Sequence, residues 1–93
     1  MLTIEETRSA GRALHARLDE CGFTAVAIKL PTRLDRSDGV VLYKRSHPVW
    51  EDKAYATHTW GYEHTDDRAW LGNGHYDLSF EDGVEDFKER ARF

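Results

Sequence analysis

The residues best suited to chemistry in this chain are carboxylates that crowd its last third. Residues 63–93 carry nine acidic and four basic side chains, so this third holds all of the excess negative charge in a net charge of −4. Closely spaced carboxylates can imitate the phosphates of a nucleic acid and attract a protein with a basic surface. The candidate partner-binding carboxylates are Asp66, Asp67, Asp77, Glu81, Asp82, Glu85, Asp86 and Glu89.

Helix electrostatics offers a simpler explanation of the same crowding. Acids fill the first turns of a predicted C-terminal helix and Lys88, Arg90 and Arg92 fill its end, which complements the helix dipole. Glu81 and Glu85 nevertheless form a like-charge pair four residues apart, and such pairs destabilise a helix by about 0.2–0.5 kcal/mol. The dipole does not require this pair, so both explanations stay open.

Tyrosine and tryptophan dominate the middle of the chain. All seven of these residues lie between positions 43 and 76, a stretch without phenylalanine. Such rings suit positions with one wet end and are enriched in binding hot spots. Trp50 and Trp70 are therefore candidate partner-binding residues. Two alternative interpretations stay open. In the first, these rings line the edges of a thin core; in the second, they lie on an open sheet face and stack single-stranded bases.

Histidine and cysteine give no pattern that fixes a reaction. His58 and His64 lie about 20 Å apart along one predicted strand, too far to share a metal. Cys21 is the only cysteine, and no nucleophile elbow, phosphate-binding loop or dinucleotide fingerprint occurs. We therefore assign no catalytic residue, no metal site and no cofactor. His75 and Asp77, with nearby acids, support only an alternative, a small metal-dependent hydrolase or nuclease.

Helices are predicted at both ends of the chain. Thr3 and Glu6 form a capping box before the first helix, and Gly22 ends it. Ser79 caps the last helix, with Asp82 in the return position of a second box. The apolar stripe of the last helix comprises Phe80, Val84, Phe87 and Ala91.

Alternating apolar residues predict strands between these helices. The predicted strands are Phe23–Leu30, Val40–Arg45 and Ala54–His64, with a short fourth strand at Arg68–Leu71. Gly72-Asn73-Gly74 is predicted to form a flexible break between the fourth strand and a short extended segment. The fold class is therefore α+β, with the order α-β-β-β-(β)-α. We expect a three- or four-stranded antiparallel sheet with both helices on one face, since one layer would bury both helical stripes.

Length and composition predict one small cytoplasmic domain. Ninety-three residues suffice for a single domain, spanning 1–93. The N-terminal residues lack the basic and apolar regions of a signal peptide, and no apolar run is long enough to span a bilayer. Because duplex and membrane binders are usually basic, the acidic balance disfavours both partners.

These features favour a small acidic, non-catalytic protein-binding module. In size, acidity and lack of a catalytic motif the chain resembles small phage-encoded inhibitors of host defence, such as anti-CRISPR proteins. That resemblance implies inhibition of a nucleic-acid-binding protein by acidic-surface mimicry, and it transfers no residue roles. The expected partner has a basic surface, and a homodimer is compatible with the sequence. An alternative is a nucleic-acid-binding module, since α-β-β-β-α is the order of double-stranded RNA-binding domains, although their last helix is basic.

Overall fold

The computed structural model describes residues 1–92, in which two helices pack against one antiparallel sheet. The elements are α1 (Ile4–Cys21), β1 (Phe23–Lys29), β2 (Gly39–Arg45), β3 (Tyr55–Glu63), β4 (Arg68–Leu78) and α2 (Phe80–Ala91), with a 3-10 turn at Glu51–Lys53. The strands pair in sequence order, β1-β2-β3-β4, and each pair is antiparallel. The predicted α+β fold is confirmed, with four strands. No helix of the described residues is long and apolar enough to cross a membrane.

Local capping fixes the ends of α1 as predicted. The Thr3 side chain accepts a hydrogen bond from the Glu6 N–H, and the Glu6 side chain accepts one from the Thr3 N–H. Gly22 ends the helix at a φ of 74°, in the left-handed region that glycine adopts without strain. Between these caps, Ala10, Leu14 and Leu18 are fully buried.

The two helices lie on opposite faces of the sheet, so the prediction that both share one face is wrong. Val41 and Tyr43 of β2 belong to the core cluster that contains Leu14 and Leu18 of α1. Leu42, which points the other way, lies instead beneath α2 at Gly83. Alternate residues of a strand face opposite sides, so these contacts place the helices on different faces.

The cause of the two-sided arrangement is β2 itself. Its first five residues, Gly39 to Tyr43, are all buried, so both faces of this strand need cover. With both helices on one face, Val40 and Leu42 would lie in water, at about 1.5–3 kcal/mol each. A helix on each face removes that cost.

A row of rings crosses the sheet on the α1 side. Tyr43 stacks on His58 with ring centroids 5.5 Å apart, and His58 meets the edge of Tyr76 at 5.2 Å. His58 Nε2 lies 2.7 Å from the Tyr76 hydroxyl. Within residues 1–92, the buried His58 Nδ1 and Tyr43 hydroxyl have no hydrogen-bond partner. Burial therefore lowers the pKa of His58 below its ordinary 6.5, and nearby positive charge lowers it further.

β4 runs without interruption through Gly72-Asn73-Gly74, so the break predicted there is not present. A Cβ at Gly72 would lie 2.6 Å from Thr59 Oγ1 of the adjacent strand, and one at Gly74 would collide with His58. The register between β3 and β4 shifts at the same place. These glycines therefore admit side chains from β3 rather than end a strand.

Candidate functional site

Glycine brings α2 close to the second face of the sheet. Gly83 is fully buried, and a Cβ there would lie 2.9 Å from Leu42 Cδ1 and 3.3 Å from Tyr55 Cβ. Residues three and seven positions later share this side of a helix. The side that faces the sheet therefore includes Gly83, Asp86 and Arg90 beside the predicted apolar stripe, of which Val84, Phe87 and Ala91 are also partly buried. Phe80 itself is 47% exposed.

Four of the candidate carboxylates form the exposed outer face of α2, and the last of them, Glu89, also reaches the edge of a cavity between the helix and the sheet. Glu81, Asp82, Glu85 and Glu89 are exposed. In the described part of the chain, none of the four lies within 4.0 Å of a lysine, arginine or histidine nitrogen. The basic residues of the last turn are close in sequence but pair with none of them. The negative charge of this outer face is therefore not neutralised within the described chain.

Exposed apolar side chains lie at the end of the sheet where α2 begins. Val49 and Trp50, in the connection from β2 to β3, are 70% and 54% exposed. Phe80 packs edge-on against Tyr55, with ring centroids 5.4 Å apart, and its remaining surface is open. The chain passes this end of the sheet when it enters β3 and again when it leaves β4. We call Val49, Trp50 and Phe80 the apolar end.

The remaining candidates on the sheet make contacts within the chain. Asp77 Oδ1 lies 3.3 Å from Arg45 Nη1, and Asp67 accepts a hydrogen bond from the Tyr62 hydroxyl. Trp70 is half-buried and donates from Nε1 to Ser37 Oγ at 2.6 Å. Asp66 is exposed on the β3–β4 turn. The structure thus places Asp66, Asp67 and Trp70 apart from the outer face of α2.

Asp86 differs from the other α2 acids because it faces the sheet. Thr57 is fully buried and donates from Oγ1 to Asp86 Oδ2, while His75 Nδ1 lies 2.8 Å from the same oxygen. Arg90 Nη1 donates to Thr57 Oγ1 at 3.2 Å. Burial alone would raise the pKa of Asp86, but these hydrogen bonds and the nearby positive charges outweigh it and lower the pKa below 3.8. We call Thr57, His75, Asp86 and Arg90 the inner network.

Sequence reasoning did not find the inner network. The sequence groups His75 with Asp77, its near neighbour, whereas the structure pairs it with Asp86 from a different element. The register places His75 directly opposite Thr57, so both side chains face α2. The signal that could have found this network is the recurrence of Gly83, Asp86 and Arg90 on one side of the helix.

The inner network borders a cavity of about 420 Å³ between α2 and the sheet. Its wall includes Val40 and Thr59 from the sheet, Asp38 from the preceding loop, and Glu89 from α2. A volume of this size suits a small organic molecule. Across residues 1–92, no group of three or more His, Cys, Asp or Glu side chains is placed to hold a metal ion.

No family model, curated protein or solved structure matches this chain. Its function is therefore inferred from its own geometry and charge.

Proposed function

We propose that this chain is a small, non-catalytic protein-binding module that occupies the basic surface of a nucleic-acid-binding protein. The observation that carries this proposal is the outer face of α2, where four exposed carboxylates have no ion pair in the described chain. A partner with a basic surface supplies the positive charge that the described chain does not.

The charge spacing on this face supports mimicry of a phosphate backbone. Glu81, Asp82 and Glu85 lie within about 6 Å along the helix axis, at a rise of about 1.5 Å per residue. One strand of duplex DNA carries one charge per about 3.4 Å of axis. The first half of the outer face therefore has at least the linear charge density of a nucleic acid strand.

The apolar end supplies the buried apolar contact of an interface, which the carboxylates cannot provide. Exposed tryptophan and phenylalanine side chains dominate binding energy when a partner buries them, whereas charged groups at a rim chiefly speed and orient association. Trp50 and Phe80 lie at the end of the sheet where the acidic helix begins. The surface thus combines an apolar anchor with a carboxylate row, as expected of an inhibitor that competes with nucleic acid.

Three features disfavour the alternative of a nucleic-acid-binding module. The fourth strand departs from the α-β-β-β-α order, and the outer face of the last helix is acidic and would repel phosphate. A base-stacking sheet needs an open face, whereas each face of this sheet carries a helix.

The alternative of a metal-dependent hydrolase or nuclease loses the pairing of His75 with Asp77, since Asp77 contacts Arg45.

A charge-reversal experiment with a matched control tests the proposal. Glu81 and Glu5 are each the second residue of a helix, so Glu81→Lys and Glu5→Lys carry the same helix-dipole cost. A partner captured from native-host extract with the wild-type chain is purified, and its affinity for each variant is measured. We expect Glu81→Lys to weaken binding about tenfold, roughly 1.4 kcal/mol, and Glu5→Lys to leave it unchanged.

Competition then tests mimicry itself. Added DNA or RNA should displace the wild-type chain from this partner, and raised salt should weaken the complex. Equal affinities for the two variants would refute the role of the outer face. A partner that binds nucleic acid and this chain together would refute mimicry.

A further inference from the structure

In the wall of the cavity beneath α2, most hydrogen-bond acceptors already accept hydrogen bonds, whereas donor groups remain without acceptors. Asp38 accepts two hydrogen bonds from Thr32, through its backbone N–H and its hydroxyl. Asp86 accepts from Thr57 and lies against His75. Glu89 is exposed, so water solvates it. The acceptors that face the interior of this cavity are therefore already engaged.

Arg90 is the unengaged donor of this wall. Its guanidinium carries five N–H donors in a planar fork, and within residues 1–92 the only hydrogen bond it makes is from Nη1 to Thr57 Oγ1. No carboxylate of the described chain lies within 4.0 Å of it. That single bond to a buried threonine holds the arginine at the cavity and leaves the rest of the fork available.

His75 is a second polar side chain of the cavity wall whose orientation is fixed. Asp86 contacts its Nδ1 at 2.8 Å, which fixes the ring orientation, and among residues 1–92 no side chain or backbone group bonds its Nε2. A carboxylate that holds one ring nitrogen in this way favours a proton on that nitrogen. The oriented ring therefore forms a fixed part of the cavity wall beside the Arg90 fork.

We propose that this cavity binds a small organic carboxylate. The Arg90 guanidinium holds the carboxylate group, the His75 ring lies beside it, and the apolar body of the ligand lies against Val40. A planar carboxylate matches the guanidinium fork with two parallel hydrogen bonds. A doubly charged phosphate is disfavoured, because Asp86 and Glu89 repel a second negative charge as strongly as the first.

The experiment uses benzoate as the probe, with benzamide as its neutral analogue and phenyl phosphate as its dianion analogue. Binding is followed by chemical-shift changes in ¹H–¹⁵N spectra of the full chain. A ligand of only about nine heavy atoms should bind weakly, with a Kd of roughly 0.5–10 mM. We expect benzoate to shift the amides around His75 and Arg90 and to bind more tightly than either analogue.

Arg90→Gln and Arg92→Gln form the matched pair of variants. Each removes one positive charge near the end of α2, but only Arg90 lines the cavity. Arg90→Gln should weaken benzoate binding tenfold or more, and Arg92→Gln should change it less than twofold. Thr59→Leu places a bulkier apolar side chain in the cavity wall without altering the inner network, and it should also weaken benzoate binding at least tenfold.

Thr59→Leu keeps the proposal testable if Arg90→Gln fails to fold. An absence of shifts at roughly 20 mM benzoate would overturn the proposal. Equal loss in the Arg90 and Arg92 variants would do so too, as would equal binding of benzamide or phenyl phosphate. None of these outcomes bears on the outer face of α2, which is tested separately by Glu81→Lys.

Discussion

Two glycines, one in each helix, give opposite predictions for the same substitution. A helix-interior glycine costs about 1 kcal/mol relative to alanine, so Gly→Ala stabilises a helix where the methyl group has room. At Gly11 in α1 a Cβ would have nothing within 4 Å. At Gly83 in α2 a Cβ would meet Leu42 Cδ1 at 2.9 Å and Tyr55 Cβ at 3.3 Å.

The magnitudes decide the sign at each site. At Gly11 only the propensity gain applies, so Gly11→Ala should raise the free energy of unfolding by up to about 1 kcal/mol. At Gly83 the same gain opposes overpacking, which costs about 1–3 kcal/mol in a well-packed core. Leu42 is 1% exposed, so its methyl group cannot move into solvent. Gly83→Ala should therefore lower the free energy of unfolding by about 0–2 kcal/mol.

Thermal and urea unfolding of the two variants, followed by circular dichroism, measure this contrast. One kcal/mol shifts the Tm of a domain this size by about 4–8 °C. The helix-propensity gain is common to both variants, so the gap between them reports the contact at Gly83 alone. Should Gly83→Ala stabilise the chain as much as Gly11→Ala, α2 does not rest on Leu42 and its placement on the second face is refuted.

Two further predictions concern buried polar groups. Because the pKa of His58 is lowered, the unfolded chain takes up a proton below about pH 6.5 that the folded chain does not, and the free energy of unfolding should fall as the pH drops from there to the folded pKa. In urea titrations at several pH values, His58→Gln should flatten this fall, whereas the exposed-site variant His15→Gln should leave it intact. An unchanged pH profile in His58→Gln would contradict the assignment. Thr57→Val removes the hydroxyl shared by Asp86 and Arg90 and should lower the free energy of unfolding by about 2 kcal/mol. The control Thr59→Val, on the same face of β3, should lower it by less than about 0.5 kcal/mol. Equal losses would show that the inner network adds no stability.

Local physics made the helix ends and strand faces predictable. The capping box at Thr3 and the left-handed Gly22 depend on residues within one turn, so the sequence pattern suffices to place them. The alternation in β3 likewise predicts the shared face of His58, Trp60 and Tyr62, all three of which are buried. Neither inference requires knowledge of what packs against the element.

Placement of α2 depends on contacts that lie far apart in sequence. A helix can follow a strand on either face, and its own stripe does not choose between them. The deciding signal is the run from Val40 to Tyr43, which is apolar at every position and is typical of a strand buried on both sides. The strand prediction uses this run only to place β2, although the same run also indicates that both faces of the strand are covered.

The inner network could not be predicted from spacing because its members come from three elements. Thr57 and His75 become neighbours only through the β3–β4 register, which contains two irregularities. Asp86 then arrives from a helix whose closest approach depends on the absent side chain of Gly83. Helix propensity alone predicts that a glycine inside α2 costs stability, whereas in the structure it permits the packing that positions Asp86 and Arg90.

The position of Asp86 strengthens the case that the other α2 acids serve an external partner. One α2 acid has a role inside the chain, so internal roles for such side chains are possible here and can be recognised by their contacts. Within residues 1–92, Glu85 and Glu89 make no hydrogen bond or ion pair of this kind, and Glu89 lies near the C-terminal end of the helix, where the dipole disfavours a carboxylate by about 0.3–1 kcal/mol. Neither folding nor the helix dipole benefits from them, so their contribution is expected in a complex, where a basic surface reverses the sign of that cost.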